Sequence, residues 1–395
     1  MPSSISSSNI VMAATENFDR PGFVRLTASD RPGVAQPVPV RDVPVQPWGR
    51  IFLIAVVLFI VLLSGWEYYW RDYGVVPAYA NSNDSWAAQR RRIDQGEGNS
   101  TVLIGSSRVL FDLQLPVWES VTGKRPIQLA LEGTSPVPIL EDLADDPHFT
   151  GRLLIGVVPS IFFSGFAFRG NAIPYYHKQS LSQRSGHWLS QHFVEPYFAF
   201  FDGDYALNTV IKRQPWPARP GVPQRMSVRK LAVSEPDRNT YMWQKVETDP
   251  AYQTLARSIW AQNFTGPPPP NINTPEKLQK SIDTQIGRAV AAIAKLRARG
   301  VRLMFIRLPS SGDFYAFENK VFPRSQTWDV LLQRTGSTGI HFENYAALQG
   351  YDLPEWSHLS ASEAQRFTAV LAPLVEQEFN RQEQLAVRPS LNPQP

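Results

Sequence analysis

Residues Ile51 to Trp66 read IFLIAVVLFIVLLSGW, a run without a single charged side chain. A stretch that is apolar on every face must be covered on every side, by the core of a large protein or by lipid. Its flanks favour lipid. Trp48 and Arg50 precede it and Tyr68, Tyr69 and Trp70 follow, and interfacial aromatics with a snorkelling arginine mark the ends of a membrane-spanning helix. The expectation is a transmembrane helix over residues 48–70, with a buried core helix as one alternative. A cleaved signal peptide is the other, because Ala78-Tyr79-Ala80 has the small-x-small form of a cleavage site. That motif lies well past the apolar run, and the tail before the run is long for an n-region. Arg31, Arg41 and Arg50 come before the span and only Arg71 follows closely. This bias puts the N-terminus in the cytoplasm and the bulk of the chain on the far side, as for a single-pass membrane protein.

The span divides the rest of the chain. Residues 1–47 are rich in Ser, Pro, Val and Asp, without sustained periodicity, and read as a disordered tail. Residues 71–98 read as a polar linker, 99–380 as one domain and 381–395 as a second disordered tail. Lys and Arg number 39 against 35 acidic residues, a net charge of +4. This slight excess argues against a phosphate-backbone binder, so no nucleic-acid partner is expected. The chain has no cysteine, which excludes disulfides, cysteine nucleophiles and thiolate metal sites. His148, His177, His187, His192 and His341 show no metal-ligand spacing, and no cofactor is expected.

Within the domain, short apolar runs end in turn residues. Thr101–Gly105, Ile127–Leu131, Leu153–Val158 and Val301–Leu308 read as buried strands. Thr274 and Pro275 open a helix that stops before Gly300. Ser360 with Glu363 predicts a capping box at the start of the last helix. Strand, helix, strand at this spacing predicts an α/β domain, a parallel sheet flanked by helices in a three-layer, flavodoxin-like sandwich. A large insertion, about residues 160–273, interrupts it. Its aromatic residues, among them Phe162, Phe163, Phe166, Phe168, Tyr175, Tyr176, Trp188, Tyr197, Phe198, Phe200 and Phe201, are expected mostly in the core of a subdomain. A glycan-binding cleft or a surface for a membrane partner are the alternatives.

Open parallel sheets carry their sites beyond the carboxyl ends of the strands. Gly105-Ser106-Ser107-Arg108 follows the first strand, Leu131-Glu132-Gly133-Thr134-Ser135 the second, and Glu355-Trp356-Ser357-His358-Leu359 precedes the last helix. In order and spacing these blocks resemble the SGNH/GDSL hydrolase superfamily, over roughly residues 101–375 apart from the insertion. The resemblance implies Ser107 as nucleophile, His358 as general base and Glu355 as the acid behind it, with Asp352 as a fallback. Gly133 then takes the oxyanion position. The family's third block supplies an Asn, but the matching stretch here reads Gly156-Val157-Val158-Pro159-Ser160, leaving Ser160 as the donor. The Ser107 and His358 side chains are expected in an open cleft. Bland readings stand beside these: Ser107 as a helix cap, Gly133 as a turn glycine, His358 as a structural histidine, and Arg108 as a surface or salt-bridging residue.

A membrane anchor with such a domain resembles bacterial proteins that add or remove O-acetyl groups on cell-surface polysaccharides. The implied partners are the membrane, a multi-pass acyltransferase and the polysaccharide. The alternatives are a silent SGNH-like scaffold that binds polysaccharide or organises an envelope synthesis complex, and a plain esterase or lipase.

Overall fold

A computed structural model describes residues 46–214 and 230–387. All but the last two residues of the expected N-terminal tail lie outside the described residues, as do positions 388–395. The chain divides into two compact units, Met1–Leu62 and Leu63–Pro395.

Helix α1, Trp48–Asp72, has 25 residues, about 37 Å at the rise of an α-helix. It is long and apolar enough to cross a membrane. Phe52, Leu53, Phe59 and Leu62 are exposed rather than covered by protein, so the buried-core reading of this run does not hold.

The second unit contains, in chain order, α2 (Asn83–Arg92), β1 (Thr101–Ile104), α3 (Ser107–Asp112), α4 (Leu115–Thr122), β2 (Ile127–Gln128), α5 (Val137–Asp145) and β3 (Arg152–Gly156). The insertion follows with α6 (Pro159–Phe162), α7 (Ala172–Lys178), α8 (Leu181–Phe193), α9 (Leu207–Lys212), β4 (Ala232–Ser234), β5 (Thr240–Met242), α10 (Gln244–Thr248) and α11 (Pro250–Thr265). The chain closes with α12 (Pro275–Ala298), β6 (Arg302–Arg307), α13 (Gly312–Val321), α14 (Trp328–Thr335), β7 (Thr338–His341) and α15 (Ala361–Val387). Five strands make one parallel sheet in the order β2-β1-β3-β6-β7, and β4 and β5 form a separate antiparallel pair.

Alternate residues of a strand face opposite sides of its sheet, and here both sides are packed. Leu103, Leu154, Met304, Ile306 and Ile340 join one core with Leu110, Leu371 and Phe379. Val102, Ile104, Leu153, Ile155 and Phe305 join the other with Trp86, Leu140, Ile286 and Ile293. Helices α3, α4 and α15 therefore cover one face, and α2, α5 and α12 the other. This double burial is why the strands read as unbroken apolar runs instead of alternating ones.

Three boundaries differ from the expectation. Residues 71–98 are part of the domain: Trp86 of α2 is fully buried and its indole N–H donates to the Leu129 carbonyl at 2.9 Å. Arg90, in a run of three arginines, is also buried, because Asp142 and Asp146 pair with it at 2.8 and 2.7 Å. Second, α15 continues to Val387, past the expected limit at 380. Third, the expected capping box at its start is not formed among the described residues. Glu363 pairs with Arg366, and Glu247 of the insertion accepts the Ala361 N–H. Thr274 does cap α12, accepting the Lys277 N–H at 3.3 Å.

The insertion is joined to the same core, to which β5 and the segment after it contribute Met242, Trp243 and Val246. Its aromatic residues divide. Phe162 and Phe163 are buried, whereas Phe166, Phe168, Trp188, Tyr197, Phe198 and Phe201 are exposed. Core packing therefore does not explain these six, whereas Tyr176 and Phe200 are half-buried against the cores.

Candidate functional site

Strand β1 lies between β2 and β3, so the chain leaves it to one side and then returns to the other. Such a switch point opens a crevice at the carboxyl edge. Ser107 follows β1, Gly133 follows β2 and Ser160 follows β3, at three adjacent strand ends.

Two glycines set the seat of α3. A Cβ on Gly105 would lie 2.4 Å from Val109 Cγ2, and one on Gly156 would lie 2.0 Å from the same methyl. Val109 thus settles into the space these glycines leave on β1 and β3. Ser106, in extended conformation, takes the N-cap position and Ser107 is the first helical residue, so Ser107 is not the cap. Ser107 is half-buried.

Three further residues of α3 fasten it to the loop before α15. The Phe111 ring stacks on the His358 ring at 4.2 Å between centroids. Arg108 Nε donates to the Ser357 carbonyl at 3.1 Å, and Asp112 Oδ1 accepts the Leu359 N–H at 2.9 Å. Ser107 and Phe111 are four residues apart on one helix and share a face, so the nucleophile candidate starts the same helix face that carries the histidine.

His358 is held from below by Glu355. Both its backbone N–H and its Nδ1 lie 2.7 Å from Glu355 Oε1. A carboxylate can only accept, so the ring proton belongs on Nδ1 and the lone pair on Nε2. The other Glu355 oxygen accepts the indole N–H of Trp260 from α11. Asp352 is exposed, and its backbone carbonyl, not its carboxylate, enters the loop by accepting the Ser360 N–H. Glu355, at a spacing of three residues, is the acid beside the ring.

His358 departs from the expected open cleft: it is only 1% exposed. Its Nε2 is buried with no hydrogen-bond partner among the described residues, so the Ser107 hydroxyl does not bond to it here. A buried acceptor without a donor is costly, roughly 1–3 kcal/mol, so the unpaired Nε2 calls for an explanation.

Asp112 is a second carboxyl beside this histidine, and sequence reasoning missed it. Burial drives its pKa up to about 7 from 3.8, against the pull of His358, the Leu359 N–H and Arg108, while Glu355 pushes the same way as burial. Its Oδ2 is buried with no hydrogen-bond partner among the described residues. Beneath lies a buried ionic cluster. Glu318 Oε2 accepts from Arg108 at 3.1 Å, Arg307 at 2.6 Å and Ser310 at 2.9 Å. Burial would raise the Glu318 pKa, but the two arginines hold it below the ordinary value. Arg108 is therefore a salt-bridging residue, buried rather than on the surface.

Gly133 has a φ of +54°, and its carbonyl accepts the Phe168 N–H at 3.0 Å. A Cβ there would come 3.2 Å from Phe168 Cβ, so both backbone angle and space call for glycine. The neighbouring Ser135 N–H bonds to the Phe166 carbonyl at 2.7 Å. Arg238, fully buried beside β5, donates to the carbonyls of Gln128 and Ala130 at 2.8 and 2.7 Å, fixing the chain as it leaves β2. Burial depresses its pKa to about 9, opposed by Glu132. Ser160 is half-buried at the start of α6, and its carbonyl accepts the Ser164 hydroxyl at 2.6 Å.

The insertion thus supplies Trp260, Arg238 and the 166–168 strip to this edge. No local signal could have identified them, because their partners lie tens of residues away in sequence. Among the described residues, Asp94, Asp146 and His148 bring possible metal-ligand atoms within 4.8 Å of one another. Arg90 already lies 2.7 Å from Asp146 and 3.5 Å from Asp94, supplying the positive charge a cation would bring. No protein-family model and no curated protein matches the chain.

Proposed function

We propose that the domain is an SGNH-like serine acyl-ester enzyme that transfers acetyl groups to, or removes them from, a cell-surface polysaccharide outside the cytoplasm. The observation that carries this reading is the state of His358. Its Nδ1 is locked by Glu355, and its Nε2 lies unpaired on a loop pinned to the helix that Ser107 begins.

In this reading Ser107 Oγ attacks the acyl carbonyl while His358 Nε2 takes its proton, and Glu355 stabilises the imidazolium. N–H groups at Ser107 and Gly133, with the Ser160 hydroxyl, receive the oxyanion. The imidazolium then protonates the departing alkoxide, leaving an acyl-serine. A sugar hydroxyl or water attacks this ester, gives its proton to His358, and Ser107 is restored. The Arg bias about α1 supports an N-terminus in the cytoplasm and a domain on the far side. A multi-pass acyltransferase would supply the acyl group.

Labelling of the full-length protein with a serine-reactive fluorophosphonate tests the reading: the wild type labels and Ser107→Ala does not. A second reading, a silent scaffold that binds polysaccharide or an envelope complex, is favoured by the burial of His358, by the absent Ser107–His358 hydrogen bond and by serine where the family has asparagine. It predicts no labelling of either protein.

A further inference from the structure

Helix α8 has no buried residue. Ser180 and Gln183 close a capping box at its start, so the helix is locally specified even though its outer face is uncovered. Leu181, Trp188, Leu189 and Phe193 recur at the spacing of one helical face, and all are exposed, Trp188 by 53% and Phe193 by 61%. Arg184 and Gln191 border this face, each three or four residues from Trp188. The apolar surface continues beyond the helix through Tyr197, Phe198 and Phe201, also exposed. Trp188 and Phe193 also touch, at 5.9 Å between ring centroids, and grouped exposed apolar side chains on a folded domain mark a binding face.

What covers it follows from where it lies. The last turns of α1, which belong to the same compact unit as the domain, bond directly to this segment. Arg71 donates to the Tyr197 carbonyl at 2.8 Å, and the Glu67 carboxylate accepts the N–H groups of Ala199 and Phe200, each at 2.9 Å. Trp70 packs on Tyr205 at 4.4 Å between centroids. Tyr68 and Tyr69, exposed on α1, are the aromatic belt residues of the span. The uncovered face therefore begins one hydrogen bond away from the point where the chain leaves the apolar span.

We infer that the face formed by α8 and residues 197–201 lies in the interfacial layer of the bilayer that α1 enters, so that the domain is held to the lipid surface at a second place. Trp and Tyr rings suit this layer because one end is apolar and the other can meet water. An amphipathic helix with Trp, Leu and Phe on one face and polar groups on the other binds there in the plane of the membrane. The consequence is orientation: the domain would be set at a fixed height and attitude rather than swinging on a single helix. The inference rests on the membrane anchor of the proposed function, and the test separates the two.

The chain has no cysteine, so single cysteines can be added to the full-length protein without removing any. Leu58→Cys, Trp188→Cys and Phe193→Cys are each labelled with an environment-sensitive fluorophore in vesicles of phosphatidylethanolamine and phosphatidylglycerol. The expected result is blue-shifted emission, quenched by deep spin-labelled lipid at position 58 and by shallow spin-labelled lipid at 188 and 193. Lipid contact at 58 with aqueous emission at 188 and 193 overturns the inference and leaves the anchor standing. The face would then await a protein partner. Aqueous emission at 58 overturns the anchor and the inference together.

Discussion

Trp260 donates its indole N–H to the Glu355 carboxylate, on the oxygen that His358 does not use. A residue of the insertion thereby orients the acid behind the histidine. Trp260→Phe keeps most of the packing and removes this one donor. We expect the rate of fluorophosphonate labelling to fall about tenfold, the equivalent of about 1.4 kcal/mol, with the melting temperature little changed. An unchanged rate would mean that the bond does not position the acid.

Ser107→Ala removes a half-buried hydroxyl, whereas the His358 ring is buried against Phe111. Ser107→Ala should therefore fold normally, and His358→Gln is the better variant at the second position because alanine would leave a cavity. Each should lower polysaccharide acyl content and serine labelling by a thousandfold or more, since members of such a unit fail together. Full acyl content in both variants would sink the enzyme reading.

The buried Asp112 carboxyl predicts a pH effect on stability. Its pKa is raised to about 7 from 3.8, so the folded state holds a proton that the unfolded chain releases. Its contribution is fully present below about pH 4 and is lost as pH rises to about 7, on the order of 4 kcal/mol across that window. The difference in unfolding midpoint between wild type and Asp112→Asn, measured in urea at pH 5 and pH 8, should favour the variant at pH 8. Parallel pH profiles for the two proteins would refute the assignment.

Gly156→Ala forces a methyl to within 2.0 Å of Val109 Cγ2. Overpacking of this kind typically costs about 1–3 kcal/mol, and relief by movement of α3 would also displace Ser107. Lower stability and slower labelling should appear together, and Val109→Ala in the same chain should recover part of both. Recovery of neither would show that the contact does not seat the helix.

Much of this was legible along the chain because its cause is local. A parallel strand covered on both faces must be apolar throughout, so four of the five sheet strands stand out as runs. The fifth, β7, was missed because Thr338-Gly339-Ile340-His341 has no such run. The apolar helix α1 shows itself because its run of residues carries no charge over about sixteen positions. Glu355 meets His358 because three residues of loop suffice to bring them together. Burial that depends on distant partners left no such mark. Arg90 looks like surface charge until Asp142 and Asp146 are folded against it, and Asp112 looks ordinary until His358 and Leu359 arrive from nearly 250 residues away. Trp260 and Trp188 are the same residue type in the same insertion, yet one supports Glu355 and the other is left uncovered. Side-chain chemistry states what each could bury, and only the packing of distant segments decides what is there to bury it.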